Sequence, residues 1–236
     1  MFSESADLYD AIYGAFKDYP AESARIAAIL RAAQPQVRTV LDVACGTGEH
    51  GRLLRAEHAL SVDGLDLDPG LLAVARQKVA GAQFFEADMS NFALGRRYDA
   101  VVCLFSSIGY LRTLDRITSA LICFRQHLSS PGVIVVEPWF GPGVLRLGTG
   151  DTRHAEANGL RVARTSHVAV NGQLSTLTFD YEITGASGVR HVRETHELGL
   201  FTPDEMLSSF RDAGLYASFD ADGLTGRGLY VARVAT

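Results

Sequence analysis

Three glycines and a set of carboxylates are spaced for chemistry in this chain. Gly46, Gly48 and Gly51, within LDVACGTGEHG, complete a G-x-G-x-x-G between an apolar run and an amphipathic one. Where a strand hands over to a helix, free backbone N–H groups gather, and glycines permit close ligand approach and unusual torsions. Asp66, about twenty positions on in SVDGLDLDPG, is placed to accept hydrogen bonds from vicinal ribose hydroxyls. Together these residues specify a pocket for an adenosine-bearing cofactor, and by themselves they suit a nicotinamide dinucleotide.

Further features separate the alternatives. Asp42 lies inside the apolar run itself, where a dinucleotide site usually carries only apolar residues, and a carboxylate there suits a cofactor with a cationic amino-acid tail. Asp88, in EADMSNF, is placed to accept from an adenine amine, with the Met89 backbone N–H offered to a ring nitrogen. About forty residues precede the glycines, whereas many dinucleotide domains begin almost directly with their first strand. Asp42, the glycine loop, Asp66 and Asp88 fit S-adenosylmethionine better than a dinucleotide. Structural alternatives stand beside these readings. Asp42 could cap the loop locally, Asp88 could serve a turn, Asp68 before Pro69 reads as a helix N-cap, and Gly51 reads as a close helix contact.

The elements that must position these groups follow from periodicity. The chain has 236 residues, 47% hydrophobic and 21% charged, with a formal net charge of −5. That suits one large domain, gives no reason to expect nucleic acid or an anionic membrane as partner, and leaves a small-molecule partner, even an anionic one, open. Cys45, Cys103 and Cys123 form no C-x-x-C, and the N-terminal MFSESADLYD lacks a basic-then-apolar leader. The expectation is a reduced, cytoplasmic protein. No apolar run reaches the length that spans a bilayer. A homodimer is left open.

AESARIAAILRAA reads as an amphipathic helix, RTVLDVA as a buried strand and EHGRLLRAEH as a helix. SVDGLDLD and PGLLAVARQKVA repeat the pattern, AQFFEADM and YDAVVCLFSS are strands, LDRITSALICFRQHL is a helix and GVIVVEPW a fifth strand. Alternating elements with nearly continuous apolar strands predict an α/β fold, a parallel sheet covered on both faces. GPGVLRLGTGD is expected as loop. The segments LRVARTSHVAV, QLSTLTFDYEIT and VRHVRETHELGLF, separated by Gly-containing turns, predict antiparallel strands. TPDEMLSSFRDAGL reads as a helix capped by Thr202, followed by two closing strands.

DLYDAIY, KDYPAE, LDVACGTG, DMSNFALGRRYDAVVCLFSSIGY, VVEPWF and LTGRGLY resemble the class I S-adenosylmethionine-dependent methyltransferases. Within that class they are most similar to the amino-sugar N,N-dimethyltransferases of desosamine and mycaminose biosynthesis, from about Leu8 to Val231. The resemblance implies a doubly wound, Rossmann-like, seven-stranded, mostly parallel sheet of order 3-2-1-4-5-7-6, with an antiparallel β lobe inserted after strand five. The expected units are 1–143 for the cofactor-binding core, 144–199 for the lobe, and 200–236 for the closing helix and strands. It carries cofactor contacts over to Tyr19, Ala44, Gly46, Asp66, Asp88 and Met89, with Ser106 near the methionine end. Thr47, Gly48 and Leu67, flanking these positions, complete the set. Family members act on a nucleotide-linked sugar, for whose pyrophosphate Arg164 and Arg227 are the expected cations.

A sulfonium makes its methyl carbon electrophilic, so the protein must hold a nucleophile in line at near-attack distance. An amine must be neutral to attack, and an acceptor can take its remaining proton. Tyr9, Tyr13, Tyr110, His167, His191 and His196 are the candidate groups. Tyr13, Tyr110 and His191 are assigned to catalysis, and Tyr9, Trp139, Arg164, His167 and Arg227 to the substrate; no metal is expected. The resembled enzymes carry histidine where this chain has Tyr110. A phenol of ordinary pKa near 10 is a poor base at neutral pH, so Tyr110 is expected to orient the nucleophile. The five-residue spacing of His191 and His196 puts them on opposite faces of a regular strand, so at most one meets the substrate. Tyr9 and Tyr13, one helical turn apart, fit either a joint cover over the pocket or core packing. Methylation of a hydroxyl or carboxyl, and a non-catalytic cofactor-binding protein, are the competing functions.

Overall fold

Along Thr39–Val43 (β1), successive side chains enter different cores: Val40 packs under Ile26, Ala27 and Leu30, and Leu41 faces the opposite way, toward Ile117, Leu121 and Phe124. Tyr98–Cys103 (β4) and Leu128–Val136 (β5) do the same, with Val102 and Val135 on one face and Val101 and Ile134 on the other. A strand buried on both sides has no polar face to alternate with, which is why these runs are almost continuously apolar. The computed structural model describes residues 6–14, 17–157, 159–186 and 188–234, and for 6–8, 11, 151 and 157 the backbone alone. The reading of the first five residues as free of a leader lies outside them.

The order is α1 (Ala6–Gly14), α2 (Tyr19–Ala33), β1, α3 (Glu49–His58), β2 (Ser61–Asp66), α4 (Pro69–Lys78), β3 (Phe84–Glu86) and β4. A 3-10 helix (Ser107–Leu111), α5 (Leu114–Gln126) and β5 follow. Next come β6 (Gly148–Ala157), β7 (Leu160–Asn171), β8 (Leu174–Gly185), β9 (Gly188–Gly199), α6 (Pro203–Asp212), β10 (Leu215–Asp220) and β11 (Leu229–Val234). The main sheet has seven strands in the order β3-β2-β1-β4-β5-β11-β10, the order 3-2-1-4-5-7-6 of the class I methyltransferase fold. β1 pairs in parallel with both β2 and β4, so the strand order reverses there and a crevice opens at their carboxyl ends. β11 runs antiparallel between β5 and β10.

Local chemistry sets the helix starts. Asp68 accepts from the backbone N–H groups of Gly70 and Leu71, the N-cap expected before Pro69. Thr202 and Glu205 form a reciprocal capping box at α6. α2 starts two residues before the expected helix, because Asp18 caps it by accepting from Ala21 N–H.

β6 to β9 form a separate four-stranded antiparallel meander. Its first strand corrects the loop expected from the glycine-rich 141–151. Gly148 pairs with Val168, and at Gly150 a Cβ would lie 2.6 Å from Ser166 Oγ, so glycine there lets the edge strand close on β7. The meander packs on the N-terminal helices: Val162, Phe179, Tyr181, Ile183 and Val192 share a core with Ile12, Tyr13 and Tyr19.

Candidate active site

β1 ends at Val43, and the chain leaves the sheet with left-handed torsions at Ala44 (φ 58°), Gly46 (φ 56°) and Gly48 (φ 75°). At Gly48 an added methyl would lie 3.2 Å from Val79 Cγ2 and 3.3 Å from the Ala75 methyl, so both torsion and space require glycine. At Gly51 it would lie 3.4 Å from Val62, an ordinary contact. The close helix contact expected there therefore leaves room for alanine.

The loop is tied to β2 by Asp66. Gly46 N–H donates to its Oδ2 at 2.8 Å and Asp68 N–H to its Oδ1 at 2.9 Å. Burial raises the Asp66 pKa, while those backbone donors pull it down; the net direction is upward. Each carboxylate oxygen keeps an acceptor site beyond the one its N–H occupies.

A cavity of about 340 Å³ opens beside this carboxylate, walled by Ala44, Gly46, Asp66, Leu67, Asp88 and Met89, with Tyr9, Ser107 and Tyr110 at one end. Asp88 is held in place by Ser90, whose N–H and hydroxyl both donate to Oδ1, and by Arg116, paired to Oδ2 at 2.8 Å. Burial acts to raise the Asp88 pKa, but the Ser90 and Arg116 donors outweigh it and hold the group below the usual carboxylate range. Gly48 shapes the loop without lining this cavity.

Asp42 faces an adjoining recess together with Tyr19, Ala44, Gly46 and Thr47. It is 3% exposed, and burial, reinforced by the charge of Asp66, pushes its pKa up to about 8. Thr47 donates to Asp10 Oδ1 at 2.5 Å, fastening the loop to α1.

Beyond β4 the backbone is strained into left-handed torsions at both Phe105 (φ 53°) and Ser106 (φ 63°), a pattern common at functional turns. The double reversal corrects the serine expected near the methionine end. Ser106 is buried and donates to Pro138 O at 2.7 Å, and Ser107 is the residue that lines the cavities.

A second space, a cleft of about 800 Å³, meets the first at Tyr9, Ser107 and Tyr110. Tyr13, Trp139, Arg164 and Arg227 line it, as does Tyr9. The rings of Tyr9 and Tyr13 are 4.5 Å apart, and Tyr13 meets Phe105 edge-on at 5.1 Å. Trp139 is fixed by its Nε1–H donating to Ser175 Oγ at 2.9 Å. The Arg164 guanidinium stacks over Phe179 at 4.6 Å and Tyr13 at 5.3 Å. Arg227 Nε is 3.4 Å from Glu137 Oε1, whose other oxygen accepts from Phe105 N–H.

Two histidines stand elsewhere than expected. His167 turns to the opposite face of β7, where it pairs with Asp180 at 3.1 Å. His191 is exposed on the outer face of β9, and His196, five residues on, is the one buried in the cleft wall. Val192 and Leu198, apolar at the same parity as His196, carried that signal in the sequence. Lys17, Glu22 and Arg153 also line the cleft and were not singled out by their sequence context. Lys17 pairs with Glu22 at 2.8 Å and lies 3.7 Å over the Phe105 ring, and burial, partly offset by Glu22, lowers its pKa.

The residues present fit S-adenosylmethionine. Asp66 offers two oriented acceptors for a ribose diol, Asp42 is a buried carboxyl suited to an ammonium, and tyrosine and serine side chains divide the cavity from the cleft. Sheet order and site define a class I methyltransferase. Residues 40–132 match the family described as a methyltransferase domain. The chain is 41% identical over 234 residues to the dTDP-3-amino-3,6-dideoxy-alpha-D-glucopyranose N,N-dimethyltransferase of Streptomyces fradiae, covering 96% of this chain and 89% of that one. Among solved structures it is similar to DesVI of Streptomyces venezuelae, with TM-score 0.91, 37% identity and 98% of each chain covered. It is also similar to S-adenosylmethionine-bound CalS10, an amino pentose methyltransferase from Micromonospora echinaspora, with TM-score 0.85, 34% identity and 96% of each chain covered. The chain belongs to the S-adenosylmethionine-dependent methyltransferases, in the family of the dTDP-amino-sugar N,N-dimethyltransferases.

Proposed function

We propose that this enzyme methylates the amino group of a nucleotide-linked amino sugar, the acceptor class named for its relatives. The observation that carries this reading is the charge of the cleft. Among the described residues, Lys17, Arg25, Arg153, Arg164 and Arg227 line it against only Asp18 and Glu22, and it opens onto the wall shared with the cofactor cavity. A diphosphate link needs such cations, and an amino sugar on its far side would reach Tyr9, Ser107 and Tyr110.

Asp66 and Asp88 would hold the cofactor's ribose and adenine, and Asp42, with Tyr19 and Thr47 alongside, its amino-acid tail. Bound there, the cofactor supplies an electrophilic methyl group. The chain's own residues do the rest. Arg164 and Arg227 anchor the acceptor, Trp139 and Phe140 wall it, and Tyr9 and Tyr13 exclude water. Tyr110, whose phenol burial keeps protonated, orients the nitrogen through its hydroxyl. The nitrogen must arrive neutral, because an ammonium has no lone pair to offer. Among the described residues no helix is long and apolar enough to cross a membrane, and the free thiols of Cys45, Cys103 and Cys123 support work in the reducing cytoplasm.

Incubation with S-adenosylmethionine and a panel of amino sugars, dTDP-linked amino sugars and small carboxylic acids, followed by mass spectrometry, tests the reading. The dTDP-linked amines are expected to gain one and then two methyl groups. Turnover of a carboxylic acid with none of the amines would overturn it.

A further inference from the structure

Tyr110 is not alone at the wall between cavity and cleft. Its Oη lies 3.0 Å from His196 Nδ1, and His196 Nε2 lies 3.8 Å from Glu194 Oε2. His196 and Glu194 are 2% and 6% exposed, so the hydroxyl at the shared wall is backed by a sealed imidazole and a sealed carboxylate. Two ionisable groups point inward from alternate positions of β9, where a lobe built only for packing would place apolar residues.

We propose that His196, backed by Glu194, is a positioning residue that presents the Tyr110 oxygen as an acceptor to the substrate amine and takes up the proton that methylation releases. The inference rests on the amine-methylating reading above. With neutral His196 protonated at Nε2, its Nδ1 accepts the Tyr110 O–H, and the lone pairs of Tyr110 Oη are left to face the amine. Transfer forms the N–C bond and breaks S–C, whose electron pair stays on sulfur, and the nitrogen then carries one proton too many. That proton passes to Tyr110 Oη as the Tyr110 proton passes to His196 Nδ1. The result is a neutral methylamine, a neutral phenol and an imidazolium beside Glu194.

The groups around His196 leave this route open. Tyr110 faces it from the 3-10 helix and Phe179 from β8, at 5.3 Å between rings; around Glu194 stand Tyr181 of β8, hydrogen-bonded to it, and Tyr13 of α1, both beside Arg164 of β7. Burial raises the pKa of Tyr13 to about 12 and pushes those of Tyr110 and Tyr181 upward as well, so these phenols hold their protons at working pH. None of these phenols is a competing acceptor for the proton, which leaves the His196 ring, 3.0 Å from Tyr110 Oη, as the acceptor on this route. The arrangement also accounts for tyrosine at position 110: a hydroxyl can accept and donate in one step, and its basicity is supplied from behind.

Two measurements test this. In the cofactor-free protein with ¹⁵N-labelled histidine, the His196 signal, assigned by its loss in His196→Asn, is expected to show the Nε2–H tautomer. In Glu194→Gln it should titrate at lower pH than in the wild type. In turnover with S-adenosylmethionine and a dTDP-amino sugar, Asn keeps an acceptor near the Nδ1 position but cannot take a proton. His196→Asn should then lower kcat roughly 100-fold and remove one acidic limb of its pH profile, a loss at the low end for acid–base catalysis. Tyr110→Phe should cost as much, and the double variant no more than either. An Nδ1–H tautomer, an unmoved titration in Glu194→Gln, or a wild-type pH profile in His196→Asn overturns the proposal. If the wild type turns over no amino sugar, the substrate reading fails, and the histidine spectra still decide the pair.

Discussion

Gly46 is tethered to Asp66: the glycine N–H donates to the carboxylate at 2.8 Å, joining the end of β1 to the end of β2 across the crevice. Asp66 thus shapes the loop as well as lining the cavity. Asp66→Ala should strand the Gly46 and Asp68 N–H groups, costing about 1–3 kcal/mol of stability, and should weaken S-adenosylhomocysteine binding at least about 30-fold. Asp66→Asn is expected to be little better, because an amide turned either way sets a donor against one of those N–H groups. Isothermal titration and thermal melts on both variants check this; unchanged affinity in Asp66→Ala would remove the carboxylate from the cofactor site.

Asp42 predicts a proton count. With its pKa at about 8 it is protonated in the folded protein at neutral pH. A cationic tail beside it would draw it into the ionised form, so cofactor binding at pH 7 should release roughly one proton, and Asp42→Asn should release none. Calorimetry in two buffers of different ionisation enthalpy reads this directly. The stability sign is also fixed. The folded pKa lies above the unfolded value near 3.9, so the folded state holds the extra proton, and Asp42's contribution to stability falls as pH rises from about 4 to about 8. In Asp42→Asn that slope should disappear.

Glu22 accepts from two partners, Lys17 at 2.8 Å and His50 at 2.9 Å, and is 8% exposed. Removing it leaves Lys17 as an uncompensated buried cation, so Glu22→Ala should cost about 3–5 kcal/mol. Burial alone would raise the Glu22 pKa, but His50 and Lys17 together lower it. Its contribution is therefore present above the unfolded carboxyl range and lost as pH falls through the depressed folded value. Denaturant melts between neutral pH and pH 3 should show the Glu22→Gln deficit narrowing as the solution is acidified.

On the proposed reading, Arg227 serves the acceptor and not the cofactor. It lines the cleft and is absent from the wall of the cofactor cavity. Arg227→Met should raise KM for a diphosphate-linked acceptor about tenfold or more, the worth of one lost charge-assisted contact, with S-adenosylhomocysteine affinity unchanged. Equal losses for both ligands would mean that the arginine supports the fold through Glu137.

The core was legible because its physics is local. β1, β4 and β5 are buried on both faces and read as apolar runs, and Asp68 and Thr202 announce their helices by type and position. The strand order came from resemblance, since nothing in an apolar run states which neighbour it pairs with. In the lobe the signal thins. β6 carries two glycines, Gly148 and Gly150, and is defined by pairing to β7 at the sheet edge. The inward face of β9 was hidden by Glu194 and His196, polar residues occupying interior positions. Ser106 and Ser107 are indistinguishable in sequence; only two successive left-handed torsions decide which of them looks into the cavity.

Among the described residues the cofactor cavity is walled by none from β6–β9, whereas the larger cleft takes Arg153, Arg164, Phe179 and His196 from those strands. On the proposed reading, acceptor recognition draws partly on these strands, and donor recognition draws on none of them. If the cleft holds the acceptor as proposed, substitutions within the meander act on the acceptor and leave the walls of the cofactor cavity unchanged. An enzyme divided in this way can acquire a new acceptor without relearning how to carry its donor.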